Sequence, residues 1–184
     1  MRNENLKMLI VTALFAAIIG IMAQITIPLP LVPITGQTLA IGLAATILGK
    51  RYGTLSVLVY ILLGVVGVPV FSMMESGLGV VFGPRGGYIL GFIPAAFIIG
   101  WYIERLGLTM THAVIANIIG MIITLTCGAV WLKFSAELSW MAALTGGVTP
   151  FLIIGVVKAV LAAFIGILVR KRLSSAKLLP ASIA

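Results

Sequence analysis

Charge is the scarcest property of this 184-residue chain: charged residues make up 9% of it, against 61% apolar. Soluble domains carry about 25% charged residues. Sixteen charged side chains cannot give a chain of this length a water-facing surface. That excludes a cytosolic enzyme, a secreted disulfide scaffold and a disordered chain. Acids are the rarer sign. Glu4, Glu75, Glu104 and Glu137 are the only four, and all fall in loops or at segment ends. No carboxylate therefore sits mid-membrane, where a proton-coupled carrier normally keeps one. His112 is the single histidine and Cys127 the single cysteine. Together they offer no metal-ligand spacing and no intrachain disulfide, and Cys127 reads as a small buried thiol. Nucleotide signatures are missing as well. A phosphate loop ending at Gly49-Lys50 needs glycine at position 44 and Ser or Thr at 51, where Ala44 and Arg51 stand; Gly77-x-Gly79 meets Phe82 where a third glycine belongs. No catalytic residue, cofactor or metal is expected, and active transport would draw its energy from a partner.

What the chain does have is long uncharged runs. A spanning helix needs about 20 apolar residues. Six segments meet or approach that length: Met8 to Ile27, Gly36 to Gly49 (short), Tyr52 to Val70, Gly87 to Tyr102, about Met110 to Leu132, and Pro150 to Val169. The first is near full spanning length and no A-x-A site follows it, so it is expected to stay as a helix and not to be cleaved as a signal peptide. Placing both termini inside puts nine of the twelve basic residues on the inner face: Arg2, Lys7, Lys50, Arg51, Arg105, Arg170, Lys171, Arg172 and Lys177. The outer face then holds two, Arg85 and Lys133, and Lys158 lies inside the sixth segment. The net charge of +8 thus marks a cytoplasmic face and not a nucleic-acid partner. The expected fold is all-α, a six-transmembrane-helix bundle with both termini cytoplasmic. It forms one membrane domain over 1–172, with 173–184 as a loose cytoplasmic tail.

On this topology the three long connections share the outer face. Ile27 to Thr35 has three prolines and no charge, Phe71 to Gly86 is glycine-rich, and Lys133 to Thr149 contains Gly146-Gly147. Water-exposed connectors are usually polar. Apolar loops over a small bundle are expected to cap a ligand pocket that opens outward.

Lys158 is the most informative residue. It follows Pro150 by eight positions, about 12 Å along a helix. A Lys at that depth costs about 2.5–3.5 kcal/mol on insertion scales unless it snorkels or finds an anion. Its own helix offers none: Ile154, Gly155 and Ala162 occupy the neighbouring positions of its face. The anions left are Glu75 or the carboxylate of a ligand. Arg85, in Gly83-Pro84-Arg85-Gly86-Gly87-Tyr88, is either a second anion contact or an exposed loop charge, and the glycines offer bare N–H donors. Gln37 and Thr38 can hydrogen-bond an amide-like group, while Thr35 can cap the helix that follows. In the first segment Ala13, Ala16, Ala17 and Gly20 form a small-residue stripe that lets another helix approach, in this chain or in a partner.

Three stretches together resemble a known family. They are Pro33-Ile-Thr-Gly-Gln-Thr38, Leu63-Gly-Val-Val-Gly-Val-Pro-Val-Phe71, and Gly77 through Phe92 with its Gly83-Pro-Arg-Gly-Gly-Tyr88 core. With Trp131-Leu132 and Pro150-Phe-Leu ahead of Lys158-Ala159, they are similar to BioY, the biotin-specific substrate-binding (S) component of energy-coupling factor transporters. The resemblance covers about residues 8 to 170. It implies capture of biotin from outside, working with a transmembrane coupling protein and two ATPase subunits in the lipid bilayer. It implies a substrate-binding set of Lys158, Arg85, Gln37, Thr38, Gly77, Gly79, Gly86, Gly87, Tyr88, Phe71 and Gly155, with the stripe as the coupling-protein contact. Two positions depart from the family pattern. Gly155 stands where an Asp is usual three residues before the lysine, and Leu125 stands near a usual Tyr. A biotin relative such as dethiobiotin or lipoate, or a self-sufficient secondary carrier, are the alternatives.

Overall fold

The computed structural model describes residues 2–176, 178 and 179. The chain forms helices α1 (Arg2–Gln24), α2 (Gln37–Val65), α3 (Leu78–Phe82), α4 (Gly86–Leu106), α5 (Met110–Ser135), α6 (Trp140–Gly147) and α7 (Thr149–Ser175). A two-stranded ribbon pairs β1 (Thr26–Ile27) with β2 (Ile34–Thr35), Thr26 opposite Thr35. Five helical stretches are long and apolar enough to cross a membrane. The sixth crossing is hidden in α2, which folds back on itself. Gly49 has φ 74° and ψ −176°, a backbone conformation that is essentially glycine-only. On either side of it 37–48 and 50–65 run antiparallel, and Gln37 Nε2 donates to the Tyr60 hydroxyl across the pair. The bundle therefore has the six expected transmembrane segments.

Glu104, near the end of α4, holds the reversal. One carboxylate oxygen accepts from the Lys50 backbone N–H at 2.8 Å, and the other lies 3.3 Å from Lys50 Nζ. A Cβ at position 49 would strike that same carboxylate. Gly49→Ala is expected to destabilise the bundle by about 1–3 kcal/mol, the scale of one residue forced into such a region. A thermal melt of the detergent-solubilised protein reads this directly. A melting temperature equal to wild type would mean the turn relaxes without strain.

The core forms where α4 packs on α5 and α2, and α7 packs on α2 and α5; α1 lies against α2. Buried hydroxyls close on their own helix, as hydrocarbon surroundings require: Thr12 to Met8 O at 2.7 Å and Ser56 to Tyr52 O at 2.9 Å. His112 sits at the start of α5, its N–H capped by Thr109 Oγ1 at 3.2 Å and its ring edge-on to Tyr102.

The structure differs from expectation at several ends. α1 stops at Gln24, because 26–27 leave the helix to pair with 34–35. The third crossing stops at Val65, where Gly67 turns the chain with φ 105°. The connections expected to be open loops contain α3, α6 and a 3₁₀ turn at Ser72–Met74. At the far end α7 continues to Ser175, and Leu179 is buried with Met8, Phe15 and Leu48. Lys177 and 180–184, assigned above to the tail, lie outside the described residues.

The arm 37–48 has a consequence for the site. Twelve residues reach about 18 Å, well short of a hydrocarbon core of about 30 Å. The space beyond Gln37 is taken by the uncharged ribbon and its prolines. Their apolar composition suits that depth.

Candidate functional site

Two cavities meet among the first arm of α2, α4, α5 and α7. The outer one is lined by Val32, Pro33, Thr35 and Gln37 from the ribbon and arm, Ser72 and Arg85 from the connection, Val80 of α3, and Tyr88 and Ile89 of α4. The inner one reaches Ile41, Ala95, Ile99, Asn117, Met121 and Gly155. Thr38, Phe92, Thr124, Leu125, Phe151 and Lys158 belong to both, so Lys158 stands at the junction. Mostly apolar walls with a few convergent polar groups are typical of small-molecule sites.

The Lys158 ammonium donates to Thr35 O at 2.6 Å and to Thr38 Oγ1 at 3.4 Å. Both partners are neutral. The carboxylates that form ion pairs among the described residues are engaged elsewhere, Glu104 with Lys50 and Glu75 with Arg85. Arg85 Nη2 lies 2.7 Å from Glu75 Oε1, and Nη1 donates to Ser72 Oγ at 3.4 Å. A chain of bonds fixes the ribbon over the amine. Thr35 Oγ1 donates to Gln37 Oε1 at 2.7 Å, and the Gln37 amide is anchored in turn on Tyr60. The arrangement presents one uncompensated positive charge in an apolar chamber with neutral hydrogen-bonding groups around it. It suits a small organic acid with an apolar middle.

Residues 1–175 match the profile of the BioY family. The chain belongs to that family. It is 40% identical to the biotin transporter BioY2 of Lactococcus lactis subsp. cremoris, over 95% of this chain and 96% of that one. It is 37% identical to the biotin transporter BioY of Thermotoga maritima, over 90% and 97%. Among solved structures it resembles the S-component for biotin from an ECF-type ABC transporter, with TM-score 0.86 and 29% identity, covering 93% of this chain and 94% of the other. It is thus a multi-pass membrane protein with the S-component fold, and the BioY family is one of transporters, not enzymes.

Within this BioY fold, Lys158, Arg85, Gln37, Thr38, Tyr88 and Gly155 border the cavities. The other residues expected at the ligand do not. Phe71 is fully buried behind the wall, edge-on to Tyr60 at 5.7 Å between centroids, in the space that a Gly64 side chain would fill. A Cβ at Gly86 would strike the Val81 backbone, and one at Gly87 would strike Trp131 and the Cys127 carbonyl. Gly86 thus lets α4 start hard against α3 and Gly87 lets it approach α5, and Trp131 Nε1 donates to Gly83 O at 2.9 Å beside them. Gly77 serves the turn, with φ 90° and its N–H on Gly64 O at 2.7 Å. Gly79 borders neither cavity and has open space where a Cβ would stand. The small-residue stripe splits: Ala16 and Gly20 face inward, Gly20 against Val70, while Ala13 and Ala17 are exposed. Asn117, Thr124, Ser72 and Phe151 line the site without having been singled out from sequence. The one signal available was Asn117, a lone carboxamide in an otherwise apolar span.

Proposed function

We propose that this chain captures biotin from the outer side of the cell membrane and delivers it to an energy-coupling module, a transmembrane coupling protein with two ATPase subunits. The basic reversal of α2 at Lys50-Arg51 and the basic ends of α4 and α7 face the cytoplasm, and residues 1–172 act as one membrane domain. Family membership and the two biotin transporters it resembles support the ligand class. The observation that carries the reading at the site is the Lys158 ammonium, half-buried at the cavity junction with only neutral partners. The biotin carboxylate supplies the missing charge, its aliphatic chain lies on the apolar walls, and its cyclic urea meets the remaining polar groups. Arg85 and Glu75 stay paired at the mouth and hold the 71–86 connection over it. Calorimetry of the purified protein against biotin, dethiobiotin and lipoate tests this. Tight binding of biotin without added nucleotide is expected. Binding of lipoate in preference to biotin would reassign the ligand.

A further inference from the structure

We infer that Asn117 is a specificity residue of the inner cavity, the acceptor that reads N–H groups on the ring of the ligand. The inference rests on biotin being the ligand.

Asn117 lies on α5, 4% exposed, and borders the inner cavity. Its two amide N–H groups are committed, one to Thr46 Oγ1 at 3.0 Å and one to Ala113 O at 2.9 Å. The Ala113 carbonyl can only accept, which fixes the end of the carboxamide that carries nitrogen. Oδ1 is left with no donor among the described residues. It lies against Gly42, where a Cβ would collide with it, so a larger residue there would displace the carboxamide. A carbonyl oxygen deep in a membrane bundle with no donor is unfavourable until a ligand supplies one.

The chemistry of the neighbours makes the assignment selective. Lys158 can only donate, and Thr38 and Thr124 can do either. Among these side chains Asn117 Oδ1 alone can only accept. Biotin presents acceptors at its carboxylate end and two N–H donors on its cyclic urea. The ammonium at the junction and the carbonyl below it match that polarity.

The test is calorimetry with wild type, Asn117→Leu and Thr46→Val against three ligands: biotin, biotin carboxamide, and biotin methylated on both ureido nitrogens. Asn117→Leu is expected to weaken biotin and its carboxamide equally, by ~10- to 30-fold. Dimethylated biotin should bind wild type poorly and be indifferent to the substitution. Thr46→Val removes the same structural bond without touching the cavity and should leave biotin affinity unchanged. Equal losses for Thr46→Val and Asn117→Leu would reduce Asn117 to a packing role, and unchanged affinity in Asn117→Leu would overturn the assignment outright. Should Asn117→Leu fail to fold, wild type decides: binding dimethylated biotin as tightly as biotin overturns the inference. A wild type that ignores biotin altogether overturns the functional reading and this assignment with it, whereas biotin binding that ignores Asn117 overturns this assignment alone.

Discussion

Lys158→Ala is expected to weaken binding of free biotin by roughly 1.5–3 kcal/mol, the contribution of a hydrogen bond to a charged group, or about ten- to hundredfold in affinity. The geometry gives the reason. Two of the three ammonium donors already meet Thr35 O and Thr38 Oγ1, so hydrogen bonds to the amine are nearly complete. The missing element is a negative charge, and Glu75 does not supply it because Arg85 holds it at 2.7 Å. Biotin carboxamide brings no charge and should lose much less on the same substitution. Calorimetry of both ligands against both proteins measures the difference. Equal losses for acid and amide would remove Lys158 from its role as the anion partner.

Tryptophan at Ala13 or Ala17 is expected to leave biotin binding at wild-type affinity and to abolish uptake by cells that carry the energising module. Both positions are exposed on α1, and neither lines a cavity. A large ring there keeps a partner helix from close approach, which is what small residues at helical spacing permit. Ala16→Trp provides the contrast. Ala16 is 1% exposed inside the bundle, so overpacking should cost fold and binding together. Radiolabelled uptake alongside binding to solubilised protein separates the cases. If Ala13→Trp loses both activities, the outward face of α1 packs within the chain's own assembly instead.

The helical crossings were readable because hydrocarbon length and charge avoidance leave a strong one-dimensional signal. The reversal at Gly49 was readable too, since Lys50-Arg51 interrupts the apolar run and glycine can take the required backbone. Lys158 stood out because a lone charge deep in a span demands an explanation. The Arg85–Glu75 pair was not readable, because it depends on how a folded loop brings residues ten apart together. The packing of the glycines of 77–87 was not readable for a related reason. Glycine permits close approach to anything, and here Gly86 meets the Val81 backbone and Gly87 meets Trp131, while Gly77 takes a positive φ. Asn117 was missed because a single carboxamide lowers the hydropathy of a 26-residue helix too little to break the span, and its contacts with Thr46 and Ala113 appear only in the fold.

The short arm ending at Gln37 is an inner element of the bundle. Most of 37–48 is buried, so its reach of about 18 Å is matched against protein and not against acyl chains. The apolar 26–35 ribbon completes the wall above it. Lipid thickness therefore has no direct hold on this element, and vesicles of increasing acyl length are expected to leave biotin entry unchanged.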